Sequence, residues 1–328
     1  MTTTADTSAE AAEAELTAED AAFVDSVASA LDDLLPRRSP DDPTTVLGAG
    51  NDDLTPGREY LQLLSEGGWA VPMWPREYGG MGLDAHRGDL VRECLRRYRS
   101  PDLYPFMVRV SLVGPTLIAH ASPDQQARWL PRIRSGEDIW CQMFSEPDAG
   151  SDLANLKARA IAEGDTWRVT GSKVWTSRAH YSERGLLLAR SDPSLAKHAG
   201  IIAFGVDMSA PGIEVRPLVQ MNRDAHFNEV FLDDVVIPDS DRIGAIGDGW
   251  RVGITCLSHE RGSLAGGLGV SFEQLVGLAH RYDLAHRPVL RDRLLKALIE
   301  LRIGQWTALR AQAARQAGRA PGPEDSGA

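Results

Sequence analysis

The hydrophobic pattern of this chain changes period twice, near residue 137 and again near residue 243. Before the first change, apolar residues recur every three or four positions, as on one face of a helix. Phe23, Val24, Val27, Leu31 and Leu34 show it first, with Thr17 and Asp20 as a capping pair and Pro36 as the stop. Further helices are expected over 57–66, ended by Gly67-Gly68, and over 85–99, 104–120 and 123–134, the last opened by Ser122 and Pro123. From 137 the period falls to two. Strands are expected at 139–144, 157–162, 166–170, 185–190, 200–206, 213–219 and 229–236, with Gly164-Asp165 as a hairpin turn. After 243 helical spacing returns, over 249–282 as one helix or two and over 291–316. Such a chain reads as an α+β multidomain protein. It divides into an N-terminal helical domain (1–136), a central antiparallel β-barrel or sandwich (137–243) and a shortened C-terminal helical bundle (244–328).

Charge and cysteine usage narrow the function. The 328 residues carry 35 basic and 46 acidic side chains, a net charge of −11, and no Lys/Arg-rich run tracks a phosphate backbone. Nucleic acid is therefore not an expected partner. Cys94, Cys141 and Cys256 each fall in an apolar segment without a CxxC, the pattern of small buried hydrophobes in a reducing cytosol. The eight histidines show no metal-ligand spacing. No apolar stretch has the length needed to span a bilayer, and the Ala-, Glu- and Thr-rich start lacks the basic and apolar parts of a signal peptide. A cytoplasmic protein is expected. Residues 1–16 are acidic and of low complexity, a composition that builds no core.

Chemistry concentrates in Trp140–Asp152, read WCQMFSEPDAGSD. An apolar, strand-like run ends at Ser145-Glu146-Pro147, and a tight turn follows. Pro147 fixes its own φ and donates no hydrogen bond, and Gly150 is expected to open a backbone path closed to other residues. A strand end with hydroxyls and free amides suits an anionic or ring-shaped cofactor. A second segment, Gly171-Ser172-Lys173-Val174-Trp175-Thr176-Ser177, follows a hairpin.

Together the two segments resemble the acyl-CoA dehydrogenase family. There a Thr/Ser-Glu-Pro-x-Ala-Gly-Ser-Asp loop and a Gly-x-Lys-x-Trp-x-Thr/Ser loop hold the flavin of FAD. The stretch Trp69–Leu83 also resembles that family's Gly-Trp…Pro-x-x-Tyr-Gly-Gly segment near the acyl end of the substrate pocket, although by itself it reads as a connecting loop. The resemblance covers about 18–316 and implies helical, β and helical domains in that order. It implies that Gln142, Phe144, Ser145 and Gly150 contact the flavin, that Ser151 lies by the pyrophosphate and pantetheine entrance, and that Trp175, Thr176 and Ser177 wall the ring. It also implies an acyl-CoA substrate and an electron-transfer flavoprotein or similar acceptor.

Dehydrogenation of an acyl thioester needs a base for the α-proton, a flavin for the β-hydride, and donors that polarise the carbonyl. One branch of the family carries its base in a Leu-x-x-Glu-Arg-x-x-x-Ala setting, matched here by Leu257, Glu260, Arg261 and Ala265. Glu260 is then the expected base, with Ser258 and Arg261 beside the substrate. A carboxylate enclosed by ring and acyl chain loses water and becomes a stronger base. An exposed Glu260-Arg261 surface pair is the plainer reading of the same residues. His259 points about 100° away around the helix.

The C-terminal part departs from the resemblance. The family has a four-helix bundle, a late segment that supplies an amide to the carbonyl, and an Arg-x-x-Phe-Gly element that reaches a neighbour's FAD. Here two helices are expected, and His286-Arg287-Pro288-Val289-Leu290 stands where that element falls. An oligomer is expected, homomeric or with another acyl-CoA dehydrogenase-like chain, in which Leu294, Leu295, Leu298, Leu301 and Trp306 are covered. Two alternatives share the resemblance: a partner subunit without its own activity, and a flavin oxidase or monooxygenase on the same fold.

Overall fold

The computed structural model describes residues 16–39, 42, 53–264 and 272–316. They form two compact units, one of the described residues up to 105 with 134–137, and one of 106–133 with the described residues from 138 on. The acidic start up to residue 15, most of the loop 40–52, Ala265, and Gly266, Gly267 and Gly269, expected to admit a close helix, lie outside the described residues.

The first unit is helical. Helix α1 (Ala18–Asp32) begins where the Thr17 hydroxyl accepts the Asp20 amide at 3.1 Å. Helices α2 (Thr55–Glu66) and α3 (Ala85–Leu95) join it around Val27, Leu31, Leu64, Val91, Cys94 and Tyr98. The Tyr98 hydroxyl satisfies its buried end by donating to the Ala28 carbonyl at 2.9 Å. Between α2 and α3, the aromatic run 69–83 folds as turns with one 3-10 segment, Arg76–Tyr78.

In the second unit the expected helix over 104–120 is broken. A 3-10 turn (Tyr104–Phe106) and a π-helical turn (Val108–Val113) precede α4 (Gly114–His120). Pro115 explains the widening. It has no N–H for the Ser111 carbonyl, and its ring pushes that carbonyl away. Helix α5 (Pro123–Ser135) starts on a Ser122–Gln125 box, with Gln125 N–H to Ser122 Oγ at 3.3 Å and Ser122 N–H to Gln125 Oε1 at 2.9 Å.

One sheet of eight strands carries the core. The strands are β1 (Trp140–Met143), β2 (Arg159–Glu163), β3 (Thr166–Ser177), β4 (Arg184–Arg190), β5 (Ile201–Asp207), β6 (Ile213–Leu218), β7 (Phe227–Pro238) and β8 (Arg242–Ile243). Their order is β6-β7-β3-β2-β4-β5-β8, with β1 beside β4, and the path does not close on itself. Most pairs are antiparallel, but β1 and β4 are parallel, with Trp140 opposite Arg184 and Met143 opposite Leu187. The long excursion through β2 and β3 returns the chain to the end where β1 began, so β4 must run alongside it. Met143, Val169, Leu187, Phe204, Val230 and Leu232 fill one face. Gln125 ties α5 to the sheet corner by donating to the carbonyls of Ser240 and Arg242 at 2.8 and 2.7 Å.

Helix α6 (Gly249–Leu264) lies on β4 and β5. Two glycines allow it to come close: a Cβ on Gly249 would meet the Ile202 backbone at 2.5 Å, and one on Gly253 would meet the Leu188 side chain at 2.8 Å. Helices α7 (Phe272–Arg281) and α8 (Pro288–Gln316) follow. The face that α8 leaves in solvent differs from the expected one. Leu294, Leu298 and Leu301 are half-buried, whereas Leu295, Ile299, Ile303, Trp306 and Leu309 form the exposed stripe. At 3.6 residues per turn those five share one side, and the leucines one position away turn toward the neighbouring side. Cys94, Cys141 and Cys256 are free thiols, all buried.

Candidate functional site

The first loop is built at the end of β1. After Met143 the chain stays extended through Phe144 and Ser145, then turns. The Glu146 and Ala149 amides each donate to the other residue's carbonyl at 3.0 Å, with Pro147 and Asp148 at the corner. Proline fits there because its fixed φ matches the corner and its missing N–H is not needed. Gly150 does not play the expected part. Its φ is not in the left-handed region, and a Cβ would meet nothing within 4 Å. The turn is set by Pro147 and the Glu146–Ala149 bridge instead, and Gly150 leaves open space before the exposed Ser151.

The second segment is not a loop but the continuation of β3, distorted by a bulge. Lys173 opposes Val230 and Thr176 opposes Asn228, so Val174 and Trp175 together face the single residue Glu229. Trp175 takes φ 59°, unusual for a bulky side chain, and its indole is 63 % exposed. Phe227 touches it edge-on, with ring centroids 6.0 Å apart. The bulge also turns the Val174 N–H out of the ladder and onto the Ser145 carbonyl at 2.9 Å. Thr176 then re-enters the ladder, and its buried hydroxyl has no hydrogen-bond partner among the described residues. Ser177 is half-buried, and Arg178, again left-handed at φ 58°, donates its amide to the His226 carbonyl at 2.7 Å. Behind Thr176, the Asn228 amide group donates to the Thr176 carbonyl at 3.1 Å.

Two charged residues named in the motifs, but given no role from sequence, hold these segments together. The Lys173 ammonium is wholly buried. It donates to the Phe144 carbonyl at 3.1 Å and to Glu146 Oε1 at 2.7 Å. Glu146 also accepts the amides of Lys157 at 2.6 Å and Ala158 at 2.9 Å. Burial pulls the Lys173 pKa down to about 8, against the upward pull of Glu146. The signal available in the sequence was a glutamate and a lysine placed inside otherwise apolar or small-residue stretches, where an unpaired charge is not tolerated.

The structure places the remaining predicted residues on β1 and α6. Gln142 is half-buried on β1 and Phe144 is buried beyond it. Ser258 and Glu260 are half-buried on α6, and the Ser258 hydroxyl donates back to the Ile254 carbonyl at 2.8 Å. The Arg261 side chain lies outside the described residues. Helix α6 rests on β4, the neighbour of β1, and on the π-helical turn 108–113, which also meets β1. His120 bonds Thr255 at 2.8 Å, and burial lowers the pKa of His120 and of His259, leaving the latter neutral near pH 7. The two joined segments offer an exposed aromatic wall with backbone and hydroxyl groups at a strand end, and Glu260 lies on the helix that packs on β4 and β5. Such a set suits a flat, polar ring bearing a phosphate tail.

Fold and site together define a helical unit followed by a sheet in which the loop leaving β1 bonds the bulged part of β3, with Glu260 on the helix that lies on β4 and β5. The model of the acyl-CoA dehydrogenase N-terminal domain matches residues 17–137, and that of the acyl-CoA dehydrogenase middle domain matches residues 141–235. This chain belongs to the acyl-CoA dehydrogenase family. It is 42% identical to acyl-CoA dehydrogenase IpdE1 of Mycobacterium tuberculosis over 77% of this chain and 65% of that protein, and so spans just under two thirds of that relative. The solved structure named Tcur3481-Tcur3483 steroid ACAD superposes with a TM-score of 0.75 at 28% identity, over 94% of this chain and 79% of its own. The ChsE4-ChsE5 complex of Mycobacterium tuberculosis gives a TM-score of 0.70 at 25% identity, over 95% and 80%. No helix among the described residues is long and apolar enough to cross a membrane.

Proposed function

We propose that this chain binds FAD on the Ser145 and Trp175 segments and catalyses the α,β-dehydrogenation of an acyl-CoA thioester, with Glu260 as the base. The observation that carries the reading is the junction of the two segments. Trp175 is held in a costly backbone conformation with its indole in solvent, and Val174 beside it bonds Ser145. Strain of that kind, roughly 1–3 kcal/mol, clusters at ligand sites and active sites. The buried, unpartnered Thr176 hydroxyl is a second mark of a missing group, because leaving it unpaired costs about 1–3 kcal/mol. FAD, when bound, supplies the acceptor for the β-hydride.

The chain's own residues would do the rest. Trp175 covers one face of the ring and keeps water from it. Phe144, Ser145, Thr176 and Ser177 orient its polar edge, Gln142 flanks it, and Ser151 stands where the phosphate tail and the pantetheine enter. Glu260 takes the α-proton of the substrate, with Ser258 and Arg261 beside the thioester. An electron-transfer flavoprotein or a similar acceptor would be the partner that takes up the electrons the reaction releases. The steroid ACAD among the structural relatives makes CoA thioesters of bulky polycyclic acids the first substrates to test, ahead of straight-chain acyl-CoAs. The apolar stripe of α8 supports an oligomer in which a like chain, the same or homologous, covers it. The ChsE4-ChsE5 complex is the precedent for an unlike pair.

The test is direct. The protein is purified alone and with a co-expressed homologue, flavin is released by denaturation and identified, and bleaching of bound flavin is followed anaerobically with each thioester class. Colourless preparations in both cases would end the reading.

A further inference from the structure

The two segments assigned to the cofactor are joined beneath the surface by more than one backbone bond. Resting on the FAD reading above, we propose that Lys173 and Glu146 are a positioning pair, which fixes the gap between the Ser145 loop and the Trp175 wall so that both grip the ring together.

The geometry is specific. Glu146 is the residue after Ser145, and Lys173 is two residues before Trp175, immediately ahead of the bulge. The lysine gives one hydrogen bond to the Phe144 carbonyl and one to Glu146 Oε1, at 3.1 and 2.7 Å. The two oxygens of Glu146 collect the amides of Lys157 and Ala158 at 2.6 and 2.9 Å. One buried ion pair therefore pins three chain segments: the end of β1, the approach to β2, and β3 at its bulge. The glutamate is about 7 % exposed and the lysine fully enclosed, so water does not compete for these bonds.

General stability does not explain the choice of charges. Buried pairs seldom stabilise more than a well-packed apolar pair of the same volume, because desolvation offsets attraction. What a charged, hydrogen-bonded pair adds is direction. An apolar pair at 146 and 173 would fill the space but would not aim the Phe144 carbonyl or hold the amides of 157 and 158 toward one point. The Ser145 carbonyl, one residue from this point, is the group that Val174 bonds from beside Trp175. Losing the pair should leave the sheet folded and the gap between the two walls ill-defined.

The experiment compares the parent with Lys173→Met/Glu146→Gln, which removes both charges and leaves no bare one buried. Val235→Ala is the control, since it trims a buried residue of β7 opposite Val169, in the same ladder but away from both segments. For each, the dissociation constant of FAD is measured by titrating deflavinated protein, and the visible circular dichroism of bound flavin is recorded. Far-UV circular dichroism reports the fold. The double variant is expected to fold, to bind FAD about tenfold more weakly, as for the loss of one to two directed hydrogen bonds, and to show altered visible dichroism. Val235→Ala is expected to lose stability and keep both flavin readouts. If the double variant does not fold, Lys173→Gln with Glu146→Gln, which also leaves no bare charge buried, carries the same two readouts. Unchanged affinity and dichroism in the charge-removal variants, or an equal loss in Val235→Ala, overturns the positioning role. A parent that takes up no FAD overturns the functional reading itself, which is a separate result.

Discussion

The Val174 amide donates to the Ser145 carbonyl at 2.9 Å, joining β3 at its bulge to the loop that leaves β1. Neither residue would reach the other in a regular ladder. The bulge exposes the Val174 N–H and turns Trp175 outward in the same step, so the backbone bond and the exposed indole have one cause.

Trp175→Gly should separate strain from function. Glycine adopts φ near 59° without penalty, so stability is expected to hold or rise by up to about 1 kcal/mol despite the lost side chain. FAD affinity is expected to fall at least tenfold, as the aromatic wall is gone. Urea midpoints and flavin titration check this. A variant that is less stable and binds FAD as tightly as the parent would place Trp175 in the fold alone.

Glu260→Gln keeps shape and hydrogen bonding but removes the base. The rate of flavin bleaching by substrate should drop by roughly 10² to 10⁴, with FAD content unchanged. Bleaching at the parental rate would show that another group takes the α-proton.

Lys173 should leave a mark on stability against pH. Burial holds its folded pKa to about 8, below the roughly 10.4 of an unfolded lysine. Between those values the unfolded chain binds a proton that the folded chain has released, so stability rises with pH. This contribution is whole above the unfolded value and is lost as pH falls through about 8. Urea midpoints across that window should climb more steeply for the parent than for Lys173→Met. Parallel curves would sink the assignment of the proton to Lys173.

The exposed stripe of α8 should govern assembly. Leu295, Ile299, Ile303, Trp306 and Leu309 are each at least half exposed, and soluble monomers seldom carry such a contiguous patch. Light scattering on the chain alone, and co-expressed with a homologue, is expected to give a mass above the monomer, and Ile303→Glu with Trp306→Glu to abolish it. A parent that stays monomeric in both settings at all concentrations refutes this expectation.

Much of the local structure was legible in the residues, because its causes are local. Thr17 and Ser122 cap α1 and α5 through hydroxyls three residues from the amides they accept. Pro147 and Asp148 turn the chain whatever packs around them, and the alternation of Trp167 and Val169 with Thr166, Arg168 and Thr170 gives a strand with one buried face. The pattern also showed helix, sheet and helix in order. Tertiary structure decided the rest. The parallel pairing of β1 with β4 depends on where a long excursion returns, which no window of sequence contains. The extension of β3 through Gly171–Ser177 depends on β7 lying alongside to accept a bulge. The motif points to Gly150 for a backbone path closed to other residues, yet its φ lies outside the left-handed region, and that conformation falls on Trp175 and Arg178, which carry no outward sign of it. The buried meeting of Lys173 and Glu146 is of the same kind. The sequence by itself determined which residues cap, turn and face inward, since those depend on neighbours a few positions away. Only the fold decided which distant groups touch, because a contact between residues 27 positions apart is fixed by the path of everything between them.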